Sequence, residues 1–145
     1  MKLSMPFVFL VLFFTKTQAQ HHEVAANPID SNHYKLNVLV RGLVPHKNYM
    51  LYFELLNSSR KALRQKKVLA DKPELTVSFE NLPKGKYAVR FFQDENVNGK
   101  LDTNIFGMPT EAWGYSNDAR GLMSAPKMED ALFDLTSSKT IVINK

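Results

Sequence analysis

Cysteine is absent from all 145 residues. No disulfide can form, so the fold must be held by packing, hydrogen bonding or a bound ion. A lipid-modified N-terminal cysteine and thiol chemistry are excluded on the same ground. Histidine is scarce: His21, His22, His33 and His46 are the four, all in the first third of the chain. Neither HExxH nor GxSxG occurs, so the common zinc-hydrolase and serine-hydrolase signatures are missing. No apolar run approaches the roughly 20 residues that a membrane-crossing helix needs. Internal repeats and long helical periodicity are missing as well. The net charge of +5 is mild. The clearest basic cluster, Arg60, Lys61, Arg64, Lys66 and Lys67, carries no interleaved aromatic residue for base stacking, so nucleic acid is not an expected partner. That cluster reads as a solvated loop, with an anionic glycan or membrane surface as the sharper alternative.

What is present begins with Lys2, an apolar run from Met5 to Phe14, and small residues at Thr17 and Ala19. This is the layout of a cleavable signal peptide over 1–19. The expectation is export, to a periplasm or outside the cell, with no transmembrane segment after cleavage. Losing Lys2 and Lys16 leaves 126 residues at +3, the size of one domain. Residues 20–33 read as a flexible polar lead and 34–145 as a single β-sandwich domain. Cleavage would also leave Gln20, His21 and His22 at the new terminus, a square-planar Cu(II) or Ni(II) geometry. A solvated tail is the plainer reading.

Within the domain, Tyr34, Leu36, Val38 and Val40 alternate with polar residues, the pattern of a half-buried strand. Tyr49 to Leu56 is apolar on both faces, as in a central strand. Leu75, Val77 and Phe79 alternate with Thr76, Ser78 and Glu80, the cleanest period-two signal in the chain. Pro83 and Gly85 bring turn chemistry before Tyr87, Val89 and Phe91, so a hairpin is predicted there. Leu132 to Leu135 and Ile141 to Ile143 give two shorter strand signals. Short strands at close intervals predict an all-β, two-sheet sandwich of about seven strands with a long glycine-rich loop.

That loop runs from Asp94 to Lys127 with little periodicity, and structureless segments of such length are normally functional or held by something. It contains its own candidate holder. Asp94, Asn96 and Asn98 offer oxygens at alternate positions, Gly99 permits a tight curl, and the Lys100 carbonyl and Asp102 follow. This matches the first half of an EF-hand calcium loop. The second half departs from it: Ile105 stands where a bidentate Glu belongs. Asp102 with Glu111, or an acid from Glu129, Asp130 and Asp134, would have to complete the shell. Ca²⁺ is the expected cofactor, at an affinity on the order of 10⁻⁴ to 10⁻³ M. The plainer alternative is a set of Asx turns.

Downstream, Trp113 and Tyr115 lie with Phe106 among Gly107, Pro109, Gly114 and Ser116. They are either a carbohydrate-stacking platform or a plug that seats the loop on the core. In the latter case Asn117 and Asp118 pin turns. Catalysis is not expected; Asp102 and Glu111 are the one carboxylate pair that a glycosidase could use.

The ordered series Leu82, Pro83, Gly85, Tyr87, Ala88, Val89, then Asp94, Asn96, Asn98, Gly99, Leu101, Asp102, then Gly107, Pro109, Glu111, Gly114, Ser116, Asn117 resembles the bacterial domain of unknown function family 2141. Pro126, Met128, Glu129, Asp130 and Ala131 continue it, Met128 standing where members often carry an aromatic. The resemblance implies an exported β-sandwich of prealbumin or immunoglobulin type and implies no activity. The turn at Pro83 is also similar to those of transthyretin-like modules, an analogy of fold alone. Read together, these features describe a non-catalytic binding or accessory module, its partner a glycan or a cell-surface protein.

Overall fold

The computed structural model describes residues 32–122 and 124–145. The signal peptide, His21, His22 and nearly all of the expected lead lie outside the described residues. Among the described residues, eight strands form two sheets that enclose one core. The first sheet has the order β4(Glu74–Pro83), β1(His33–Arg41), β8(Lys139–Asn144). β1 pairs antiparallel with β4 and parallel with β8. The second sheet runs β3(Ala62–Leu69), β2(Met50–Leu56), β5(Gly85–Asp94), β6(Trp113–Tyr115), with β7(Phe133–Leu135) on the same edge of β5 as β6, nearer its start. Among the described residues no helix is long and apolar enough to cross a membrane.

Period-two patterning builds the core as expected. Leu36, Val38 and Val40 from β1 and Val77 and Phe79 from β4 face Leu51, Phe53 and Leu55 from β2 and Val89 and Phe91 from β5. A smaller cluster lies on the outer side of the second sheet, where Leu56, Ala88 and Tyr115 meet Ala119, Met128 and Ala131. The last three belong to the segment after β6, which contains the short helix α1(Met128–Ala131). Ser116 locks that segment down. Its buried hydroxyl accepts from the Val89 N–H and donates to the Ala131 carbonyl. Asn117 and Asp118 do pin this region, the former to the Asp130 and Leu132 carbonyls and the latter to Asn144 on β8.

Three expectations need correction. The turn at Pro83 to Gly85 does not make a hairpin, because β4 pairs with β1 and β5 with β2. Apolar residues of both strands enter one core from opposite sheets, so the chain turns a corner between layers. The Tyr87 hydroxyl fixes that corner by donating to the Pro83 carbonyl at 2.8 Å, a bond of the tyrosine-corner kind found in β-sandwiches. The basic stretch is not a loop. Lys61 precedes and Arg64, Lys66 and Lys67 belong to β3, an edge strand exposed almost throughout. Its pattern shows no alternation because neither face is buried, and long cationic stems cover apolar neighbours instead. Lastly, the segment from Asp94 to Lys127 is interrupted by β6, too short to leave a periodic signal.

Candidate functional site

β5 ends by delivering Asp94 into the second sheet's rim, where the residue is fully buried. Its carboxylate accepts the N–H groups of Asn98 at 3.1 Å and Gly99 at 2.8 Å, which bends the chain back on itself. The alternate oxygens repeat the device. Asn96 Oδ1 accepts the Asn98 N–H at 3.1 Å, and Asn98 Oδ1 accepts the Lys100 N–H at 2.8 Å. Gly99 sits at φ 77°, where a side chain is disfavoured. Val97 is a more costly case: a β-branched residue at φ 63°, held by the bonds around it.

Asp102 closes the curl. Its two carboxylate oxygens accept from the side-chain amides of Asn96 and Asn98. Glu111 also folds back to the loop, but onto backbone: it accepts from the Glu95 N–H at 2.9 Å and the Asp102 N–H at 3.0 Å. Asp94, Asn96, Asn98, Lys100, Asp102 and Glu111 are thus gathered in one loop, as the motif requires. Asp134 is not among them, being paired with Lys86 near the start of β5. Eight residues separate Lys86 from Asp94, about 26 Å of strand. Among the described residues, no three carboxylates or imidazoles cluster closely enough to hold a metal ion unaided. An ion here would depend on the Asn96 and Asn98 oxygens and the Lys100 carbonyl.

Beyond Asp102 the chain forms a small projecting turn. Asn104 accepts with its side-chain oxygen from the N–H groups of Phe106 and Met108, and Thr103 bridges to Pro109. Ile105, the residue in place of the bidentate Glu, stands 94% exposed at the tip beside Phe106 at 76%.

The model of an uncharacterized protein family conserved in bacteria, DUF2141, matches residues 40–143, from the end of β1 to the end of β8 and including the whole loop. This chain belongs to that family. Neither a comparison with curated proteins nor one with solved structures gives a match.

In this DUF2141 chain the loop lies at the outer face of the second sheet, and the register there sets up an aromatic row. Lys67, Tyr52, Phe92 and Trp113 occupy successive strands side by side. Tyr52 and Phe92 stack with centroids 4.8 Å apart and planes 2° from parallel. Lys67 lies 4.7 Å from the Tyr52 centroid, and Arg120 lies 4.9 Å from that of Trp113. The next row holds Gln65, Glu54, Arg90 and Tyr115. Burial works to lower the Arg90 pKa, but hydrogen bonds to Glu54 and Tyr115 outweigh it, so the guanidinium is held above its ordinary value. Trp113 is half-buried and Tyr115 buried. Both border a cavity of about 260 Å³ that also touches Arg90, Leu101, Met108 and Pro109.

Tyr52 and Phe92 escaped the sequence reading. The signal was available, since two adjacent aromatics, Phe91 and Phe92, on one strand must send one ring outward.

Proposed function

We propose that this DUF2141 protein is an exported, non-catalytic binding or accessory module whose Asp94–Asp102 loop takes Ca²⁺. The observation that carries this reading is Asp94. Its carboxylate is fully buried, and no Lys, Arg or His among the described residues pairs with it. A buried charge ordinarily has a cationic partner or a metal. Two backbone N–H groups use about half of a carboxylate's roughly four acceptor sites, leaving capacity for an ion. Binding would exchange the Asn96 and Asn98 amide bonds to Asp102 for ligation by oxygens. The non-catalytic reading is supported by the carboxylates themselves, since Asp102 is occupied by two amides and Glu111 by two backbone N–H groups. A hydrolase pair would need one of them turned toward a substrate.

The test is a thermal melt in calcium against the same melt in EDTA. A ligand present at about 100 times its Kd stabilises by about 2.7 kcal/mol. The wild type should therefore melt several degrees higher in 10 mM calcium, if the Kd is about 10⁻⁴ M. Asp102→Asn should lose most of that shift while still folding. Identical wild-type melts in calcium and EDTA would sink the ion.

A second reading, a carbohydrate-binding module using Trp113 and Tyr115, has one observation in its favour: both residues border the 260 Å³ cavity. Trp113→Ala separates the possibilities. Lost glycan-array binding with an unchanged melt supports the sugar site, whereas a lower melting temperature with no binding to lose supports a plug.

A further inference from the structure

The projecting turn after Asp102 is exposed and yet fixed. Asn104 holds it with its N–H on the Met108 carbonyl, its carbonyl on the Gly107 N–H, and its side-chain oxygen on the Phe106 and Met108 N–H groups. The Thr110 N–H, donating to the Asp102 carbonyl at 2.9 Å, ties down the base. At the tip, Ile105 and Phe106 nevertheless stay almost wholly in solvent. A tip ordered in this way has little freedom left to lose on docking, which removes one of the main costs of association.

The same turn contributes Gly107, Met108 and Pro109 to the lining of the 260 Å³ cavity, and a later segment contributes Gly121, Ser124 and Ala125. An apolar cavity of about 150 Å³ admits benzene, so a phenylalanine ring fits this one. The chain's own Phe106 does not fill it, being held out in solvent by the bonds of the turn. Arg90, the charged residue on the lining, is already paired with Glu54, so an apolar insert leaves no charge unpaired. Apolar tip and apolar cavity are therefore neighbours on one face. That adjacency is what a self-complementary two-fold contact needs, because each tip can enter the other copy's cavity at once. A tip and cavity on opposite sides would instead build open chains.

We infer that this face binds a second copy of the chain, with Phe106 of each copy seated in the other's cavity against Trp113 and Tyr115. Area and charge both favour that occupant. Leu122, which follows Gly121, is 93% exposed, and with Ile105, Phe106 and Met108 it leaves roughly 600 Å² open per copy, about each partner's share of the smallest specific interfaces. Residues 103–110 and 121–126 contain no charged side chain. Two copies thus meet without like-charge repulsion, whereas an anionic lipid surface is held by Lys and Arg beside the apolar residues. So small an interface makes a transient dimer, with a Kd of about 10–100 µM. At about 1 µM the chain is a monomer, and the tip adds nothing to its stability. The inference needs neither the calcium ion nor a glycan.

The experiment is sedimentation equilibrium of the full chain in EDTA, from about 1 to about 300 µM. A monomer–dimer equilibrium with no larger species is expected. Phe106→Ser removes the insert, and Ser124→Arg puts a long charged side chain on the exposed rim of the cavity. Each should weaken the dimer about tenfold or more, and unchanged melts at about 1 µM would show both variants to be folded. Reciprocal insertion makes a sharper demand. Each variant alone loses both contacts, but a mixed dimer keeps one, the Phe106 of the Ser124→Arg chain in the intact cavity of the Phe106→Ser chain. An equimolar mixture should therefore associate more tightly than either variant by itself. A wild type still monomeric at about 300 µM overturns the inference, and binding of that monomer to phosphatidylglycerol vesicles would assign the tip to a lipid surface. It is equally overturned by a Phe106→Ser chain that dimerises like the wild type, by open-ended association, or by a mixture no tighter than its components.

Discussion

Gly114 shows how one residue without a side chain fixes the position of the loop. It lies on β6 opposite Phe91. A Cβ there would come within 2.6 Å of Phe91 Cε1 and 3.0 Å of Ile143 Cγ2, both core side chains that cannot swing away. Gly114→Ala should therefore cost about 1–3 kcal/mol, as overpacking does, and urea denaturation measures it. A change within about 0.5 kcal/mol would mean that β6 is free to shift. Nothing in the sequence marks this glycine out from Gly107, whose added Cβ would meet nothing within 4 Å. The Asp94 curl is a different matter. Its bonds join residues two to five positions apart, so spacing alone reveals them. Glu111 falls between these cases. Its return to the loop could be expected from its charge, but its choice of backbone N–H groups over the loop's centre could not.

At the scale of elements, strands with one buried face announce themselves and the others do not. β1 and β4 were legible because burial alternates along them, and β2 because it is central. β3 was hidden because an exposed edge imposes no period, and the sheet-to-sheet corner was hidden because its turn residues also suit a hairpin. Tyr87 is what distinguishes corner from hairpin, and its chemistry can be titrated. Burial raises its phenol pKa above the ordinary 10.0, with Arg64 opposing. A group whose folded pKa is raised contributes stability that is complete below the unfolded value and is lost as pH rises through the folded one. Wild-type stability should thus decline above about pH 10, as the phenol loses the proton it donates to Pro83. Tyr87→Phe should cost about 1 kcal/mol at neutral pH and show a shallower decline in denaturation series from pH 8 to 11. Equal slopes for the two proteins would mean that Tyr87 ionises without disturbing the corner.

For the molecule as a whole, the loop-bearing end separates the groups that hold the sandwich from those that project out of it. Gln93 is fully buried, and its side-chain amide both accepts from the Val44 N–H and donates to the Val44 carbonyl. It ties the chain that leaves the first sheet to the strand that carries Asp94. Ile105 and Phe106 lie in the same loop region but bury little of their apolar area, and Asn104 holds the turn beneath them. Hydrophobicity alone would assign the stabilising role to Ile105 and Phe106, whereas burial assigns it to Gln93. Gln93→Leu removes both bonds to Val44 together with the buried amide that makes them, and should cost about 1–3 kcal/mol. Ile105→Ser with Phe106→Ser removes two large apolar side chains from solvent contact and should change stability by no more than about 0.5 kcal/mol. Parallel urea titrations of the two proteins give both numbers. If the double serine variant were the less stable of the two, the tip would have to pack against the domain in solution, and the projecting turn described above would be wrong.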